Sequence, residues 1–211
     1  MGGSVGATTD ELFRGLSQSD NQASAQADLH YTYAQWYGGV LAEEVRRGED
    51  LSVRAEAIAY LGYQRRLGDD WSAGLALRHY DYPGNPNRTR YDYDEFAATL
   101  GWRERVSVNI IASPDTYAFD YQGHYGSGAA YCYELALREP LPLGLAANAG
   151  VGYYDLRREI GSGYGYWSAG LERQWRGWDF DLRYVGTDSA ARYRFRDEAA
   201  NRVVAGAFWS F

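Results

Sequence analysis

The chain has 211 residues, enough for one all-β domain, and shows no Pro/Ser-rich linker or break in composition that would mark a second. Its formal charge is −7 and all 21 basic residues are arginine, so it lacks the basic stripe that a nucleic-acid partner requires. Mean hydropathy is −0.52, and no run approaches the roughly 20 apolar residues of a spanning helix, which leaves either a soluble protein or one that crosses a bilayer as strands.

Alternation of apolar and polar residues predicts strands near 4–14, 23–35, 37–45, 52–66, 71–82, 94–102, 105–112, 128–138, 143–156, 164–174, 178–186 and 201–211. In the second, Ala23, Ala25, Ala27, Leu29, Tyr31 and Tyr33 alternate with Ser24, Gln26, Asp28, His30 and Thr32, a period of two that no helix shares. Short turns are expected at Gln35-Trp36, Leu67-Gly68-Asp69-Asp70, Arg103-Glu104, Glu139-Pro140-Leu141-Pro142 and Arg176-Gly177. Longer, more polar connections are expected at 15–22, 46–51, 83–93, 113–127, 157–163 and 187–200. Outer-membrane barrels show this asymmetry, with short periplasmic turns and long external loops, so both termini are expected on the periplasmic side.

The predicted outward face repeats from strand to strand: Val53, Ala55, Ala57, Ala59 and Leu61, then Trp71, Ala73, Leu75 and Leu77, and later Trp178, Phe180, Leu182 and Tyr184. Trp36, Trp71, Trp102, Trp175, Trp178 and Trp209, with the terminal Phe211, all fall where a short turn or the chain end interrupts the alternation. Indole is apolar in body and polar at its N–H, so a ring of it at one rim is expected at a membrane interface. Spacing near 35 residues also suits a propeller blade, but each interval here supplies two long strands where a blade needs four. A soluble sandwich would need a second packed sheet and gives no reason for Trp at one rim and Tyr at the other. The predicted fold is therefore an all-β, 12-stranded antiparallel up-and-down transmembrane barrel over residues 1–211, in the bacterial outer membrane and in contact with lipid and lipopolysaccharide. A protein of that location is exported with a signal peptide, so Met1-Gly2-Gly3-Ser4 is expected to replace a cleaved leader.

Several phrases resemble a proteobacterial family of unknown function. Thr9-Asp10-Glu11-Leu12-Phe13-Arg14-Gly15-Leu16-Ser17-Gln18 is similar to that family's Ser-Asp-Tyr-x-Phe-Arg-Gly-x-Ser-Gln opening, with Glu11 where the family has an aromatic. Tyr80-Asp81-Tyr82-Pro83-Gly84, Tyr91-Asp92-Tyr93-Asp94-Glu95 and Asn201-Arg202-Val203-Val204 agree as well. The resemblance implies location and fold and supplies no functional residues. The closing aromatic, Phe211, resembles the signal read by the outer-membrane assembly machinery, which makes that machinery an expected partner.

Two populations are predicted to face the lumen. Small residues, among them Gly62, Gly74, Ala97, Thr99, Gly101, Gly150, Gly152, Ser168, Gly170 and Gly206, are expected to leave volume. The charged set, Asp28, Glu43, Arg54, Glu56, Arg78, Glu134, Arg138, Glu172, Asp179, Asp181 and Arg183, reads either as a selectivity lining or as a salt-bridged wall. A turn at Gln35-Trp36 would set Asp28 opposite Glu43 with Arg54 beside it, and Glu172, Asp179 and Asp181 would form a second acidic group.

His30, His79 and His124 lack metal-ligand spacing, so neither a metal nor a cofactor is expected. Asp92, Asp94 and Glu95 lack a complete calcium-loop pattern and read as solvated loop charge. His124 and Ser127 lack a hydrolase motif, and the stretches Gly123–Gly128 and Gly161–Gly165 lack a phosphate-loop lysine, so the chain is not expected to be an enzyme. The expected function is a narrow porin-like channel for passive diffusion of small polar or charged solutes. The alternative is a closed barrel displaying Tyr91, Tyr93, Tyr117, Tyr121 and Tyr125 on external loops to a surface partner; a membrane-embedded hydrolase dependent on His124 ranks below both.

Overall fold

The computed structural model describes residues 1–46, 53–85, 91–120 and 122–211. Its strands are β1 (Gly2–Thr8), β2 (Leu12–Phe13), β3 (Leu16–Ser17), β4 (Ser24–Tyr33), β5 (Trp36–Glu44), β6 (Ala55–Leu67), β7 (Trp71–Asp81), β8 (Tyr93–Trp102), β9 (Val106–Phe119), β10 (Tyr125–Leu141), β11 (Leu145–Asp155), β12 (Tyr164–Trp175), β13 (Trp178–Thr187) and β14 (Arg202–Ser210). All but β2 and β3 join in one closed antiparallel barrel of twelve strands, with β1 between β14 and β4. Closure follows from the exterior. Leu75, Val151, Leu182, Val203 and their neighbours are exposed and apolar, and strands with that face in hydrocarbon must pair every backbone group. The seam is locked at the chain ends, where the Gly3 N–H donates to the Phe211 carbonyl at 3.0 Å and the Phe211 N–H returns to Gly3 at 2.9 Å.

Short turns gather at one end. At Arg176-Gly177 both residues have positive φ, 51° and 82°, the backbone of a two-residue hairpin turn whose twist matches the strands it joins. The same end carries Trp36, Trp71, Trp102, Trp175, Trp178 and Trp209 on the outer face, with Trp71 opposite Trp102 and Trp178 opposite both Trp175 and Trp209. Phe211 is exposed beside Trp209, ring centroids 5.3 Å apart.

Four expectations are corrected. The first strand ends at Thr8, so residues 10–14, predicted as its continuation, and much of the loop predicted at 15–22 belong to the β2–β3 hairpin. β4 and β5 turn at Ala34-Gln35, Ala34 taking φ 53°, so Asp28 faces Leu41 and Glu43 faces Gln26. β9 and β10 run on through most of the loop predicted at 113–127, and the connection after β13 folds into a helix, α1 (Ser189–Phe195), capped by the Asp188 side chain. Val53, predicted to face outward, is fully buried ahead of β6 in an interior cluster. Of the connections predicted at 46–51, 83–93 and 113–127, residues 47–51, 86–90 and Tyr121 lie outside the described residues.

The β1–β14 seam depends on absent side chains. A Cβ at Gly6 would collide with the Ala207 carbonyl and come within 2.7 Å of the Phe208 Cα. Gly6→Leu should therefore cost at least the roughly 1–3 kcal/mol of an overpacked core. The expected readout is loss of the heat-modifiable gel shift of the folded barrel at temperatures where the unsubstituted protein keeps it.

Candidate functional site

The β2–β3 hairpin folds back into the lumen. Its tip is Arg14-Gly15, φ 51° and 83°, a two-residue turn in which a Cβ at Gly15 would lie 2.8 Å from the Tyr166 Cβ and 3.0 Å from the Thr187 Cγ2. Gly15 is thus fixed both by its backbone and by the wall it touches. Behind the tip, Asp10 ties the hairpin together. Its Oδ1 accepts from the Ser17 hydroxyl at 2.6 Å and the Ser19 hydroxyl at 2.8 Å, and its Oδ2 pairs with Arg202 at the start of β14. Arg202 also donates to the Asp197, Glu198 and Ala200 carbonyls, so one guanidinium binds the hairpin to the loop above the lumen.

Arg14 is the anchor. Its guanidinium pairs with Glu95 on β8 and lies 4.3 Å from the Phe13 ring centroid and 4.2 Å from that of Tyr154. Glu95 is 1% exposed and also accepts from the Tyr80 hydroxyl at 3.0 Å, with Arg78 at 3.6 Å. A carboxylate so buried is costly unless paired, and here two cations and a phenol surround it. Glu95 was expected to be solvated loop charge. It is instead the socket for the hairpin.

Aromatic residues complete that socket. Tyr80 stacks on Tyr93 at 4.3 Å, and both join Val45, Val53, Ile58, Tyr82 and Tyr91 in one buried cluster. Leu16, Tyr154, Leu156, Ile160, Tyr164 and Phe195 form a second, and Phe13 packs against both. The half of the lumen away from the short turns is therefore filled by the hairpin, these clusters and α1. Tyr91 and Tyr93, expected on an external loop, face this interior, whereas Tyr125 is exposed and Tyr117 half-buried. The expectation that inward glycines leave space also needs correction, since a Cβ at Gly62 would strike the Tyr37 ring and one at Gly152 the Tyr166 ring. Those glycines make room for tyrosines lying across them from the next strand.

Most of the charged set projects inward, and its members group unevenly. Asp28 accepts from Tyr60 at 2.6 Å and pairs with His30. Glu43 lies opposite Glu56, and its carboxyl hydrogen-bonds Glu11 of the inward-folded segment, which also accepts from Gln26. Glu134 accepts from Tyr166 at 2.6 Å and Asn109 at 3.3 Å. Glu172 and Asp181 are cross-strand partners, as the second acidic group requires, each with its own arginine, Arg138 at 2.5 Å and Arg183 at 3.1 Å. Asp179 accepts from Ser210 instead. Arg54 is the exception: it precedes β6 and is exposed, and Glu56 occupies the place beside Glu43 expected for it. His124 contacts Asp120 at 3.3 Å, and among the described residues no hydrogen bond joins it to Ser127. Burial raises the Asp120 carboxyl, but the His124 and Gln122 N–H groups and Arg194 outweigh it and hold the group below its ordinary range.

Two outcomes follow for the hairpin. Arg14→Ala leaves Glu95 without its nearest cation and should cost docking about 3–5 kcal/mol; proteinase K should then cleave within residues 9–22 while the strands stay resistant, and Arg14→Met with Glu95→Gln should recover part of the protection. The second outcome concerns pH. Burial raises the Glu11 carboxyl, against the opposing pull of its hydrogen bonds from Glu43 and Gln26 and of the Arg183 charge, with Glu56 adding to the rise. A raised carboxyl stabilises docking fully below its undocked pKa and loses that contribution as pH rises through the docked value. A spin label at Asp20→Cys should become more mobile with rising pH, and Glu11→Gln should flatten the dependence.

Three solved structures share the fold. The KdgM porin has a TM-score of 0.59 at 10% identity, covering 100% of this chain and 99% of its own. The NanC porin has a TM-score of 0.61 at 8% identity, covering 100% and 98%. An outer-membrane channel from Pseudomonas putida F1 has a TM-score of 0.53 at 12% identity, covering 99% and 93%. No curated protein matches the sequence significantly. A closed twelve-stranded barrel with an apolar exterior and porin-like neighbours is an outer-membrane β-barrel, and over residues 1–211 the chain matches, and so belongs to, the family described as "Bacterial protein of unknown function (Gcw_chp)".

Proposed function

We propose that this barrel is a narrow porin-like channel for passive diffusion of small polar or charged solutes, constricted by its own hairpin. The observation that carries the reading is a cavity of about 450 Å³ running beside the hairpin along β4–β7, lined by Asp28, Tyr37, Glu43, Glu56, Tyr60 and Arg78. A second, of about 220 Å³, adjoins it at Phe13, Arg78 and Tyr80 and reaches Thr99, Asn109 and Glu134. Polar linings of this kind carry solutes that a dry core excludes. KdgM and NanC are porins, and the shared fold supports the same class of work.

In this reading the tryptophan ring sits at the periplasmic lipid interface with both termini below it, Phe211 serves recognition by the assembly machinery, and the hairpin enters from the external side. The inward charges tune which solutes pass. A closed barrel presenting a tyrosine surface is less well supported, because Tyr91 and Tyr93 are spent on interior packing.

Planar-bilayer recording tests the proposal. The unsubstituted protein should give small conductance steps, and Arg14→Ala should enlarge them severalfold by freeing the hairpin. Folded barrels of both forms that insert and pass no current would overturn it.

A further inference from the structure

We infer that the barrel binds a neutral, single-ring phenol in an aromatic-walled cavity against the hairpin, with the Tyr164 hydroxyl as its hydrogen-bond partner; the inference stands apart from the channel reading above. The cavity holds about 90 Å³ and shares only Phe13 and Gln18 with the larger one along β4–β7. Phe13 and Leu16 line it from the hairpin, Tyr154 and Tyr164 from β11 and β12, and Phe195 from the end of α1. The site therefore exists only while the hairpin is docked.

Tyr164 points to a ligand. It is 1% exposed, and its hydroxyl has no hydrogen-bond partner among the described residues. A buried tyrosine hydroxyl ordinarily finds a partner, because a bare one has given up water for nothing. Its ring is packed edge-on against Tyr154 and Phe195, centroids 5.9 and 5.5 Å away, which holds the hydroxyl in place. A lone water answers this poorly, since it needs two to four polar partners. Of the other hydroxyls lining the space, Ser17 already donates to Asp10 and Thr116 interacts with Tyr154.

The walls select shape, size and charge. Phe13 and Tyr154 meet at 80° and Tyr154 and Tyr164 at 79°, so ring faces and ring edges are presented nearly at right angles. A flat guest can lie on one face and against a neighbour's edge, the arrangements that aromatic pairs prefer. An apolar cavity of about 150 Å³ takes benzene. The space here is smaller but bordered by half-buried Gln18, Tyr117 and Glu198, where the far edge of a single ring can emerge. Among the described residues no arginine or histidine lines it, and Glu198 stands at its border, so a carboxylated ring would enter without a counter-charge. A phenol, with an ordinary pKa of about 10, enters neutral, and its hydroxyl can donate to or accept from Tyr164.

Fluorine NMR titration with 4-fluorophenol tests it, using the barrel in lipid nanodiscs and empty nanodiscs to subtract partition into the bilayer. The unsubstituted protein should bind the compound saturably. Tyr164→Phe keeps the ring and should weaken 4-fluorophenol about two- to tenfold, the worth of one hydrogen bond. Fluorobenzene has no hydroxyl to pair, and should bind that variant at least as well as it binds the unsubstituted barrel. Ala118→Trp fills the space and should abolish binding of both compounds, with the gel shift confirming that each variant has folded. Binding no greater than the empty-nanodisc background would mean that water alone occupies the cavity, and overturns the inference. An affinity for 4-fluorophenol that Tyr164→Phe or Ala118→Trp leaves unchanged overturns it equally. Either failure leaves the channel reading standing, because conductance is measured without the ligand.

Discussion

A single buried carboxylate organises the interior. Glu95 projects from β8 into the lumen at 1% exposure, where an ionised group is tolerated only with close partners. Arg14 answers that requirement from 81 residues away in sequence and brings the whole 9–22 segment with it. The pair explains why a stretch that alternates like a strand leaves the sheet after Thr8. The guanidinium lies over the Phe13 and Tyr154 rings and pairs with a carboxylate, contacts that hold the segment inside the lumen.

The rest of the interior is arranged around that contact. Gly15 lets the hairpin tip lie against β12 and β13, Asp10 gathers Ser17, Ser19 and Arg202, and Tyr80 and Tyr93 stack beside Glu95. The four phrases that carry the resemblance read from the sequence thereby acquire a common physical meaning. They lie far apart along the chain, yet Phe13-Arg14-Gly15, Tyr80, Tyr93 with Glu95, and Arg202 all meet at or next to the docked hairpin. The family resemblance marked these residues without assigning them a task; docking supplies one.

The barrel itself was legible in the sequence because hydrocarbon imposes a simple rule, apolar outside and polar inside at a period of two, and β4, β7, β12 and β13 obey it. The register error at Asp28 and Glu43 has the same origin. A slip of two residues keeps every side chain on its own face, so the alternation is blind to it, and nothing in Ala34 announces a left-handed turn. The hairpin was hidden for a related reason: Leu12 and Arg14 continue the parity of Thr8 and Asp10, and the partners that draw them inward lie on β8 and β11. Composition misled at the glycines. Gly62 and Gly152 look like empty volume until the tyrosine from the neighbouring strand is placed over each.

A lumen built this way is neither an open pore nor a solid core, since the half away from the short turns is packed and the remaining space follows the hairpin's flank. The central claim is that the hairpin occupies the lumen, and amide hydrogen exchange on the folded barrel in lipid or detergent tests it most directly. Docking predicts that the amides of Phe13 and Leu16, paired across β2 and β3, and of Gln18, bonded to the Glu11 carbonyl at 2.7 Å, exchange slowly, as the adjoining strands do. Exchange of those amides at the rate of an exposed loop, with the strands still protected, would contradict the account.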